Sequence, residues 1–560
     1  MTVSYASGPS DHPLLYQTIG DAFDEVARRH GDREAIVALH QGERLTFRQL
    51  SAKVNAFASG LLQLGLEPGD RIGIWSPNRL EWVIAQIASA KAGLILVNIN
   101  PAYRAEELEY CLNKVECSAL VLASDFRGHD YLATMNELGF SPHADTPGNV
   151  CVGRVPSLEW LIVMADAPPH GYLAFSDIAA MATTESDAVL AALVHRLQPE
   201  DPINIQFTCG TTGIPKGAIL SHHNILNNAF FSGRRMQLTP VDRLCIPVLL
   251  YHCFGMVLGV LTCVTHGACM VLPGEAFDAG QVLAAIERER CTALHGVPTM
   301  FIAQLAHPDF ARHDLSSLRT GIMSGAPCPV EVMTRVVEAM HMREITIGYG
   351  MTEVSPLSFQ TLPADSLAHR VATVGRVHDH VEAKIVGPDG RTVPVGEPGE
   401  ILFRGYSVMS GYWGDEDLSA EVLGGGGWIR SGDLATMDQD GYVRVTGRAK
   451  DIIIRGGEKI FPGEIEALLR THPDIDEAHI FGVPHPHYGE EVCVWLRTGN
   501  ARLTASDVQD HCRGRIAYFK IPAIVHFVSD FPMTSTGKIQ KSAMRQAVMA
   551  RNTALGREMP

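Results

Sequence analysis

Residues 208–217 read Thr-Cys-Gly-Thr-Thr-Gly-Ile-Pro-Lys-Gly, and this ten-residue stretch is the most informative part of the chain. Its glycines allow successive backbone N–H groups to turn toward one point. Its three threonines add hydroxyl donors, and Lys216 adds a positive charge. A polyphosphate is bound by donors and charges of this kind, so the stretch predicts a loop that holds the phosphates of a nucleotide.

This stretch differs from the phosphate loop of the P-loop nucleotide hydrolases. Their loop has Gly directly before Lys and Ser or Thr directly after it, whereas Lys216 follows Pro215 and precedes Gly217. A Gly-Lys pair does occur at 537–538, but it is followed by Ile and fails the same test. A P-loop ATPase or kinase is therefore disfavoured.

Helical and strand patterns alternate on the N-terminal side of this loop. Thr46 and Gln49 have the spacing of a capping box, apolar residues recur on one helical face after them, and Gly65 lies where such a helix would end. Apolar strand-like runs follow at 71–75 and 93–97, with an amphipathic segment between them. The alternation predicts a parallel α/β architecture.

The rest of the chain is less regular. Residues 125 to about 200 are rich in Gly, Pro, His and Asp and predict loops and insertions. After about residue 380, short strand-like segments are separated by turns at 387–390, 396–399 and 424–427. Beyond residue 447 we expect a compact α+β unit of short strands and two helices. A domain boundary is therefore predicted at Lys450, between domains 1–449 and 450–560.

Length and composition restrict the class of protein. A chain of 560 residues is several times longer than one hydrophobic core needs, so two or more folding units are expected. Hydrophobic residues make up 46% and charged residues 19%, which predicts packed cores rather than disorder. The net charge of -16 argues against a nucleic-acid partner, because binding a phosphate backbone needs a surplus of Lys and Arg.

The cysteines and the apolar stretches bear on the compartment. The 12 cysteines show no C-x-x-C pair and no zinc-finger spacing, which favours buried thiols in a reducing cytosol. The N-terminal residues lack the basic-then-apolar layout of a signal peptide. The most apolar stretches, 82–97 and 256–272, are interrupted by polar residues and predict buried helix–strand pairs. We therefore expect a cytoplasmic protein without a membrane span.

The stretch 208–217 resembles the phosphate-binding signature of the adenylate-forming superfamily, which includes acyl-CoA synthetases, carrier-protein adenylation domains and beetle luciferases. Further motifs in the family's order extend the resemblance over residues 20–545. One departure is Cys209, where the family commonly has Ser, because a thiol is a weaker hydrogen-bond partner. The resemblance implies α/β subdomains with a parallel sheet and a small barrel-like β part in a large N-terminal domain, followed by a mobile α+β C-terminal domain.

The resemblance also implies a nucleotide site. Tyr349-Gly-Met-Thr-Glu353 is similar to the second core motif, in which Tyr349 would stack on adenine and Thr352 would touch the α-phosphate. Asp433 would bind both ribose hydroxyls and Arg448 would contact the ribose, with a turn aspartate and a surface arginine as the alternatives. The implied ATP- and AMP-binding residues are Thr208, Gly210, Thr211, Thr212, Gly213, Lys216, Ser324, Gly325, Ala326, Pro327, Tyr349, Gly350, Thr352, Asp433, Arg448 and Lys538, and the implied Mg²⁺ ligands are Glu353 and Thr212.

Two half-reactions follow from the resemblance. Attack of a carboxylate on the α-phosphorus brings two anions together, so catalysis must come from positioning and neutralisation of charge. The segment 532–539 matches the family's C-terminal catalytic motif, with Lys538 as its lysine and an exposed turn lysine as the alternative. The C-terminal domain would then rotate about Lys450 as a hinge and present a second face, with Gly456, Gly457 and Glu458, to coenzyme A. The implied catalytic residues are Lys538, Thr352, Glu353 and His252.

Two further motifs concern the acid. Tyr251-His-Cys-Phe-Gly255 resembles the motif that lines the acyl site and the thiol tunnel, where His252 would position the carboxylate or gate the tunnel; a buried structural histidine is the alternative. His295-Gly-Val-Pro298 would form another wall, with ligand contact and core packing as equal alternatives for His295. The implied acyl-binding residues are His252, His295, Gly296, Val297 and Gly321.

Within the superfamily the whole-chain pattern looks most like the medium-chain fatty acyl-CoA synthetases. This resemblance implies an acid–thiol ligase that uses ATP, Mg²⁺ and coenzyme A and acts on a small-molecule carboxylic acid, with medium-chain or branched aliphatic acids expected. Aryl or terpenoid acids are alternative substrates. A carrier-loading adenylation enzyme and a non-catalytic nucleotide or acyl-CoA sensor are alternative functions, and a homodimer is left open.

Overall fold

The computed structural model describes residues 2–142, 149–209, 215–448, 451–455, 458–485, 488–513, 515–534 and 538–554. The chain forms two compact units. The larger consists of Ala6–Ala383 and Phe403–Ile429, and the smaller consists of Met1–Tyr5, Lys384–Leu402 and Arg430–Pro560. The predicted boundary residue, Lys450, lies outside the described residues, so the division at that point stays a prediction.

Helices occur throughout both units. In chain order they are α1 (Ile19–His30), α2 (Phe47–Gln63), α3 (Leu80–Ala92), α4 (Ala105–Lys114), α5 (Tyr131–Glu137), α6 (Phe175–Ala180), α7 (Thr184–Leu193), α8 (His222–Arg235), α9 (Thr262–His266), α10 (Ala279–Glu289), α11 (Pro298–Leu305), α12 (Val330–Ala339), α13 (Leu367–Ala372), α14 (Glu416–Val422), α15 (Pro462–Leu469), α16 (Ala505–Cys512) and α17 (Lys541–Ala554). A π-helix, Phe254–Leu261, directly precedes α9, and a short 3₁₀ helix, Thr352–Val354, lies in the predicted second core motif.

Most strands are short. In chain order they are β1 (Tyr5–Ser7), β2 (Glu34–Ala38), β3 (Glu43–Thr46), β4 (Arg71–Trp75), β5 (Ile95–Ile99), β6 (Ala119–Leu122), β7 (Asp125–Phe126), β8 (His129–Asp130), β9 (Phe140–Pro142), β10 (Val150–Val152), β11 (Trp160–Val163), β12 (Leu173–Ala174), β13 (Pro202–Cys209), β14 (Pro215–Ser221), β15 (Arg243–Cys245), β16 (Cys269–Leu272), β17 (Ala293–Leu294), β18 (Thr320–Ser324), β19 (Glu344–Gly350), β20 (Leu357–Gln360), β21 (Arg376–Val377), β22 (Val381–Val386), β23 (Gly399–Gly405), β24 (Gly411–Tyr412), β25 (Ile429–Met437), β26 (Val443–Arg448), β27 (Ile453–Arg455), β28 (Glu458–Ile460), β29 (Glu477–His485), β30 (Gly489–Arg497) and β31 (Ile524–Phe527).

Two large sheets form the framework of the larger unit. The eight-stranded sheet has the order β12-β11-β6-β4-β5-β13-β14-β24 and is parallel from β12 to β13. The nine-stranded sheet has the order β21-β20-β19-β18-β17-β15-β16-β2-β3 and is parallel from β19 to β2. The predicted parallel α/β architecture of this part of the chain is confirmed.

Local signals account for the N-terminal elements. The predicted capping box is present before α2, where the side chain of Thr46 accepts from the backbone N–H of Gln49. Gly65 follows the end of this helix with φ 89°, a left-handed conformation that favours glycine. Both faces of β5 are buried, and α3 is buried all round, with Lys91 2.6 Å from Asp24. A strand buried on both faces reads as a continuous apolar run, which is why the sequence predicted it correctly.

Both apolar stretches are helix–strand pairs, as predicted. The first consists of α3 and β5, and the second of the π-helix, α9 and β16. In the part of the chain that the structure describes, no helix is long and apolar enough to cross a membrane.

Two predictions about secondary structure are wrong, one for residues 125–200 and one for the C-terminal part. Residues 125–200 contain β11, which pairs in parallel with β6 inside the eight-stranded sheet, and the helices α6 and α7. The apolar run of β11 is only four residues long and is surrounded by turn residues, so it had no periodicity to detect. The C-terminal part contains α15, α16 and α17 rather than two helices.

The smaller unit contains strands of two sheets, and antiparallel pairs occur in both. One sheet has the order β1-β22-β23-β25-β26. The other has the order β28-β27-β30-β29, with β31 parallel to β30. Buried Ile453, Ile465 and Val494 belong to the hydrophobic core of the second sheet and its helices. The predicted α+β character of this region is confirmed.

Candidate nucleotide and acyl site

Three of the predicted motifs lie at the carboxyl ends of neighbouring parallel strands. The segment 295–298 follows β17, 324–327 begins at the last residue of β18, and 349–353 begins near the end of β19. Ser324 is the cross-strand partner of Gly348 and donates through its Oγ to the Gly348 carbonyl at 2.7 Å. Ligands of open α/β sheets bind at this edge, so the fold places the three motifs where a substrate is expected.

The phosphate loop connects two adjacent strands of the other large sheet. Thr208 and Lys216 are cross-strand partners of the antiparallel pair β13–β14. Gly210, Thr211, Thr212 and Gly213 lie outside the described residues, and so does the side chain of Cys209. Their phosphate contacts stay predictions, while the strands on either side hold the two ends of the loop close together.

A cluster of three side chains joins the phosphate-loop lysine to the second core motif. The Lys216 Nζ lies 5.2 Å from the centre of the Tyr412 ring, a cation–π contact. The Tyr412 hydroxyl donates to Glu353 Oε1 at 2.8 Å. Burial, together with the nearby Glu353 carboxylate, raises the pKa of Tyr412 well above its ordinary value, so this hydroxyl remains a donor. Lys216 and Glu353 are thus linked through one buried tyrosine.

Sequence reasoning did not single out Tyr412. This residue lies in β24, which places it beside β14 with Ala218 as its cross-strand partner. The local sequence around Tyr412 and Trp413 gives no sign that Tyr412 contacts Lys216. Only the pairing of β24 with the phosphate-loop strand brings it to Lys216.

The carboxylate of Glu353 fits the predicted Mg²⁺ site. Mg²⁺ in nucleotide sites usually takes one or two carboxylates and completes its shell with phosphate oxygens and water. Among the described residues there is no group of three or more His, Cys, Asp and Glu residues that could hold a metal ion. The second predicted ligand, Thr212, is not among the described residues, so both ligand assignments stay predictions.

The second core motif also meets the acyl motif. Cys253 Sγ lies 3.7 Å from Thr352 Oγ1 and 3.6 Å from His252 Nδ1. The backbone N–H of Phe254 donates to the same Nδ1 at 3.1 Å, so the hydrogen of the neutral imidazole is on Nε2. The structure therefore brings together Thr352 and His252, two residues predicted for catalysis, on either side of a buried thiol.

His295 has the geometry of a packed core residue. Its side chain is fully buried, its Nδ1 accepts from the Ile322 N–H at 3.1 Å, and its Nε2 is 2.9 Å from the Leu258 carbonyl. Burial lowers the pKa of His295 to about 4, so the ring is neutral at physiological pH. The geometry favours core packing over ligand contact, and a direct contact with an acid stays a prediction.

The predicted glycines serve close packing. Gly321 has φ 151°, and a Cβ there would be 1.9 Å from the Leu294 carbonyl oxygen. A Cβ on Gly350 would be 1.9 Å from the Pro356 carbonyl oxygen, and one on Gly325 would be 3.2 Å from Val297 Cγ1. Backbone contact alone accounts for Gly321 and Gly350, and their roles in binding stay predictions.

The two residues predicted for the ribose meet in the smaller unit. Asp433 and Arg448 are cross-strand partners of β25 and β26, and Arg448 Nε lies 3.0 Å from Asp433 Oδ1. Asp433 is nearly buried, whereas the Arg448 side chain is 53% exposed. The Ser431 hydroxyl accepts from the Asp433 N–H at 3.0 Å, which holds the turn before the carboxylate.

Lys538 is exposed on a loop of the same unit. Its N–H donates to Thr534 Oγ1 at 3.0 Å, and its carbonyl accepts from the Thr534 N–H at 2.8 Å. This pair closes the loop and leaves the lysine side chain at the surface. Lys450, Gly456, Gly457 and the side chain of Glu458 lie outside the described residues.

One residue of this unit makes contacts that the sequence did not predict. Arg455, directly before the predicted glycine pair, donates to both carboxylate oxygens of Glu491 at 2.6 and 3.0 Å. Its guanidinium also lies 4.4 Å from the centre of the Tyr488 ring. These contacts anchor the strand that leads into the region predicted to meet coenzyme A.

Parallel sheets with the predicted nucleotide motifs at their carboxyl edge, together with a Lys216–Tyr412–Glu353 cluster, agree with an enzyme of the adenylate-forming class, and the comparisons show that class. Residues 23–413 match the family described as AMP-binding enzyme, and residues 464–538 match the AMP-binding enzyme C-terminal domain. The chain belongs to the AMP-binding enzyme family, within its acyl-CoA synthetase branch.

Curated relatives and solved structures agree with this assignment. The chain is 44% identical over 550 residues to the mitochondrial medium-chain acyl-CoA ligase ACSF2 of Danio rerio, covering 98% of this chain and 91% of that protein. The anthranilate CoA ligase AuaEII, solved with anthranoyl-AMP, has TM-score 0.83 at 28% identity and covers 97% of this chain and 99% of its own. ATP-bound MatB from Rhodopseudomonas palustris has TM-score 0.80 at 26% identity, covering 94% and 98%. The predicted adenylate-forming fold is confirmed.

Proposed function

We propose that this protein is an AMP-forming fatty acid:CoA ligase that acts on medium-chain or branched aliphatic acids. In the first half-reaction the carboxylate attacks the α-phosphorus of ATP and releases pyrophosphate. In the second, the thiol of coenzyme A attacks the acyl carbon of acyl-AMP and releases AMP. The observation that carries the proposal is the continuous set of contacts from Lys216 through Tyr412 to Glu353, next to the Thr352–Cys253–His252 contacts.

Charge neutralisation is the first task of these residues. Lys216 offers a cation to the phosphates, and its contact with the Tyr412 ring limits the conformations of a long, flexible side chain. Tyr412 orients the Glu353 carboxylate by a hydrogen bond. Mg²⁺ held by Glu353, with Thr212 as second ligand, would supply further positive charge to the phosphates.

Positioning the acid is the second task. Because Nδ1 of His252 accepts from Phe254, its Nε2–H is the donor that the ring can offer to a carboxylate or acyl oxygen. Thr352 would hold the α-phosphate by its hydroxyl. One hydrogen-bond donor that contacts the acid and another that contacts the phosphate would bring the two anions to reacting distance and offset their repulsion.

The smaller unit would supply the other groups. A carboxylate such as Asp433 can accept from both ribose hydroxyls, and its ion pair with Arg448 orients it. Lys538 would add a cation in adenylation, and the segment around Gly456, Gly457 and Glu458 would meet coenzyme A after rotation at Lys450. The exposure of Lys538 supports a role that depends on its side chain reaching a substrate.

The proposal also covers the acid substrate, the cellular location and the oligomeric state. Relatives named medium-chain acyl-CoA ligase support aliphatic acids, whereas a neighbour named anthranilate CoA ligase keeps an aryl acid as the second candidate. We propose a cytoplasmic location because the cysteines among the described residues are free and mostly buried thiols, as in a reducing compartment, although several relatives are named mitochondrial. A homodimer is the oligomeric state to be tested.

The test is a product analysis with the purified protein. ATP, Mg²⁺, coenzyme A and one acid at a time, from short to long straight-chain, branched and aromatic, are supplied, and pyrophosphate, AMP and thioester are measured. We expect all three products in equal amounts at steady state, with repeated turnover only in the presence of coenzyme A. Thioester on a phosphopantetheinylated carrier but none on coenzyme A would identify a carrier-loading enzyme instead, and no AMP with any acid would reject the proposal.

A further inference from the structure

A π-helix follows the acyl motif. It spans Phe254–Leu261 and all eight of its residues are buried. Helices of this type are rare, and they occur mostly as single turns inserted into α-helices at functional sites. This one begins directly after Cys253 and continues into α9. Its wider turn changes which side chains face the space after His252, so whatever maintains the π form also shapes that space.

His295, which follows β17, contacts this π-helix through a hydrogen bond. Its Nε2 lies 2.9 Å from the carbonyl oxygen of Leu258, in the middle of the π-helix, and its Nδ1 accepts from the N–H of Ile322 in β18 at 3.1 Å. Since Nδ1 is an acceptor, the ring hydrogen is on Nε2 and is donated to Leu258. Both ring nitrogens are therefore used, one by the strand and one by the helix.

A second contact reinforces this bridge. The His295 ring lies 5.4 Å from the ring of Phe254, the first residue of the π-helix, at an interplanar angle of 32°. The strand on the other side, β18, leads directly into the segment 324–327, which is predicted to bind the nucleotide. His295 thus connects the strand that carries the nucleotide motif with the helix that follows the acyl motif.

We propose that His295 is a positioning residue that holds the π-helix in its register and in this way sets the shape of the acyl site. The proposal rests on the proposed function, because it concerns which acid that site accepts. A hydrogen bond from a buried ring to a mid-helix carbonyl fixes the position of that carbonyl along the helix. Without it, the helix is free to return to α-helical pairing, and its side chains rotate relative to the acid.

The experiment compares His295→Leu with His222→Leu. His222 is the matched control, since it is also fully buried and also accepts a backbone N–H, that of Ile19, at 3.1 Å, in a part of the larger unit outside the predicted motifs. Two quantities are measured for each full-length variant. One is hydrogen–deuterium exchange of the amides at 254–261, and the other is the ratio of kcat/KM for octanoate to kcat/KM for butyrate.

For His295→Leu we expect faster exchange confined to 254–261 and at least about a fivefold change in the octanoate-to-butyrate ratio, the effect of losing about one hydrogen bond. His222→Leu should change neither quantity. Wild-type exchange at 254–261, or faster exchange with an unchanged ratio, would overturn the proposal.

Two further arrangements keep the test decisive. If His295→Leu does not fold, His295→Gln is measured by the same criteria, because its amide can keep one of the two hydrogen bonds and should give an intermediate change. If the wild-type protein makes no thioester, the proposed function fails. The exchange measurement then still decides whether His295 holds the π-helix, since that readout needs no activity.

Discussion

Replacing Tyr412 by Phe removes a single hydroxyl from the candidate site. The ring stays in place, so the contact with Lys216, 5.2 Å from the ring centre, is kept. The hydrogen bond to Glu353 Oε1, at 2.8 Å, is lost. The variant therefore separates the orientation of the carboxylate from the position of the phosphate-loop lysine.

The size of the effect follows from the kind of hydrogen bond. A hydrogen bond to a charged group contributes about 1.5–3 kcal/mol. Tyr412 is only 6% exposed, so water does not readily replace the lost donor. If the whole contribution is expressed in the transition state, kcat/KM for adenylation falls by about tenfold to 150-fold, at 1.36 kcal/mol per tenfold change. A misoriented carboxylate should also raise the Mg²⁺ concentration needed for half-maximal rate.

The assay measures pyrophosphate release at varied ATP and Mg²⁺, with denaturant unfolding of the same samples. Tyr172→Phe is the control, since the Tyr172 hydroxyl is buried without a hydrogen-bond partner among the described residues and its ring stacks on Phe140 at 4.6 Å. This control should leave activity unchanged. Wild-type kcat/KM together with wild-type Mg²⁺ dependence in Tyr412→Phe would refute the role assigned to this cluster.

Three other predictions concern a lysine, a glycine and the buried histidines. Lys538→Ala should lower adenylation by about 10²–10³-fold, as loss of one charge-stabilising group does, and spare thioester formation from supplied acyl-AMP; equal loss in both half-reactions, assayed separately, would contradict the rotation at Lys450. Gly321→Ala should lower the free energy of unfolding by about 2–4 kcal/mol in denaturant titrations, because its Cβ would be 1.9 Å from a carbonyl oxygen. Gly390→Ala, with open space around the Cβ, should lower the free energy of unfolding by only about 1–2 kcal/mol. Equal losses in the two variants would contradict the explanation by a clash at Gly321. Stability should fall as the pH drops below about 6.5 and toward about 4, because the unfolded chain takes up protons that buried neutral histidines cannot. In this explanation burial lowers the pKa values of His222, His266, His295 and His378. His222→Leu should reduce the slope of the free energy of unfolding against pH by about 1.4 kcal/mol per pH unit. An unchanged slope would contradict the explanation.

Much of the fold was predictable because its signals are local. The capping box of Thr46 and Gln49 acts within one helical turn, and the strands β4 and β5 are apolar runs buried within a parallel sheet. The strand β11 was missed because four apolar residues do not distinguish a central strand from a loop segment. Prediction failed where the deciding interaction was the pairing with β6, far away in the sequence.

The candidate site shows the same division. Lys216, Thr352 and Glu353 were recognised from their motifs, whereas Tyr412, which joins Lys216 to Glu353, was not. Asp433 and Arg448 were each predicted for the ribose, but their ion pair depends on the register of β25 and β26. Contacts of this kind join residues that the chain brings together only after the sheets have formed.

By itself, the amino-acid sequence determined the α/β class, the loop predicted to hold the phosphates and the chemical groups that could contact a nucleotide, since these depend on residue type and short-range spacing. The tertiary structure alone decided which groups meet. It placed Cys253 between Thr352 and His252, and it made His295 a bridge between β18 and the π-helix. The physical reason is that hydrogen bonds act over about 3 Å, so partners distant in sequence are chosen by the packing of strands and helices.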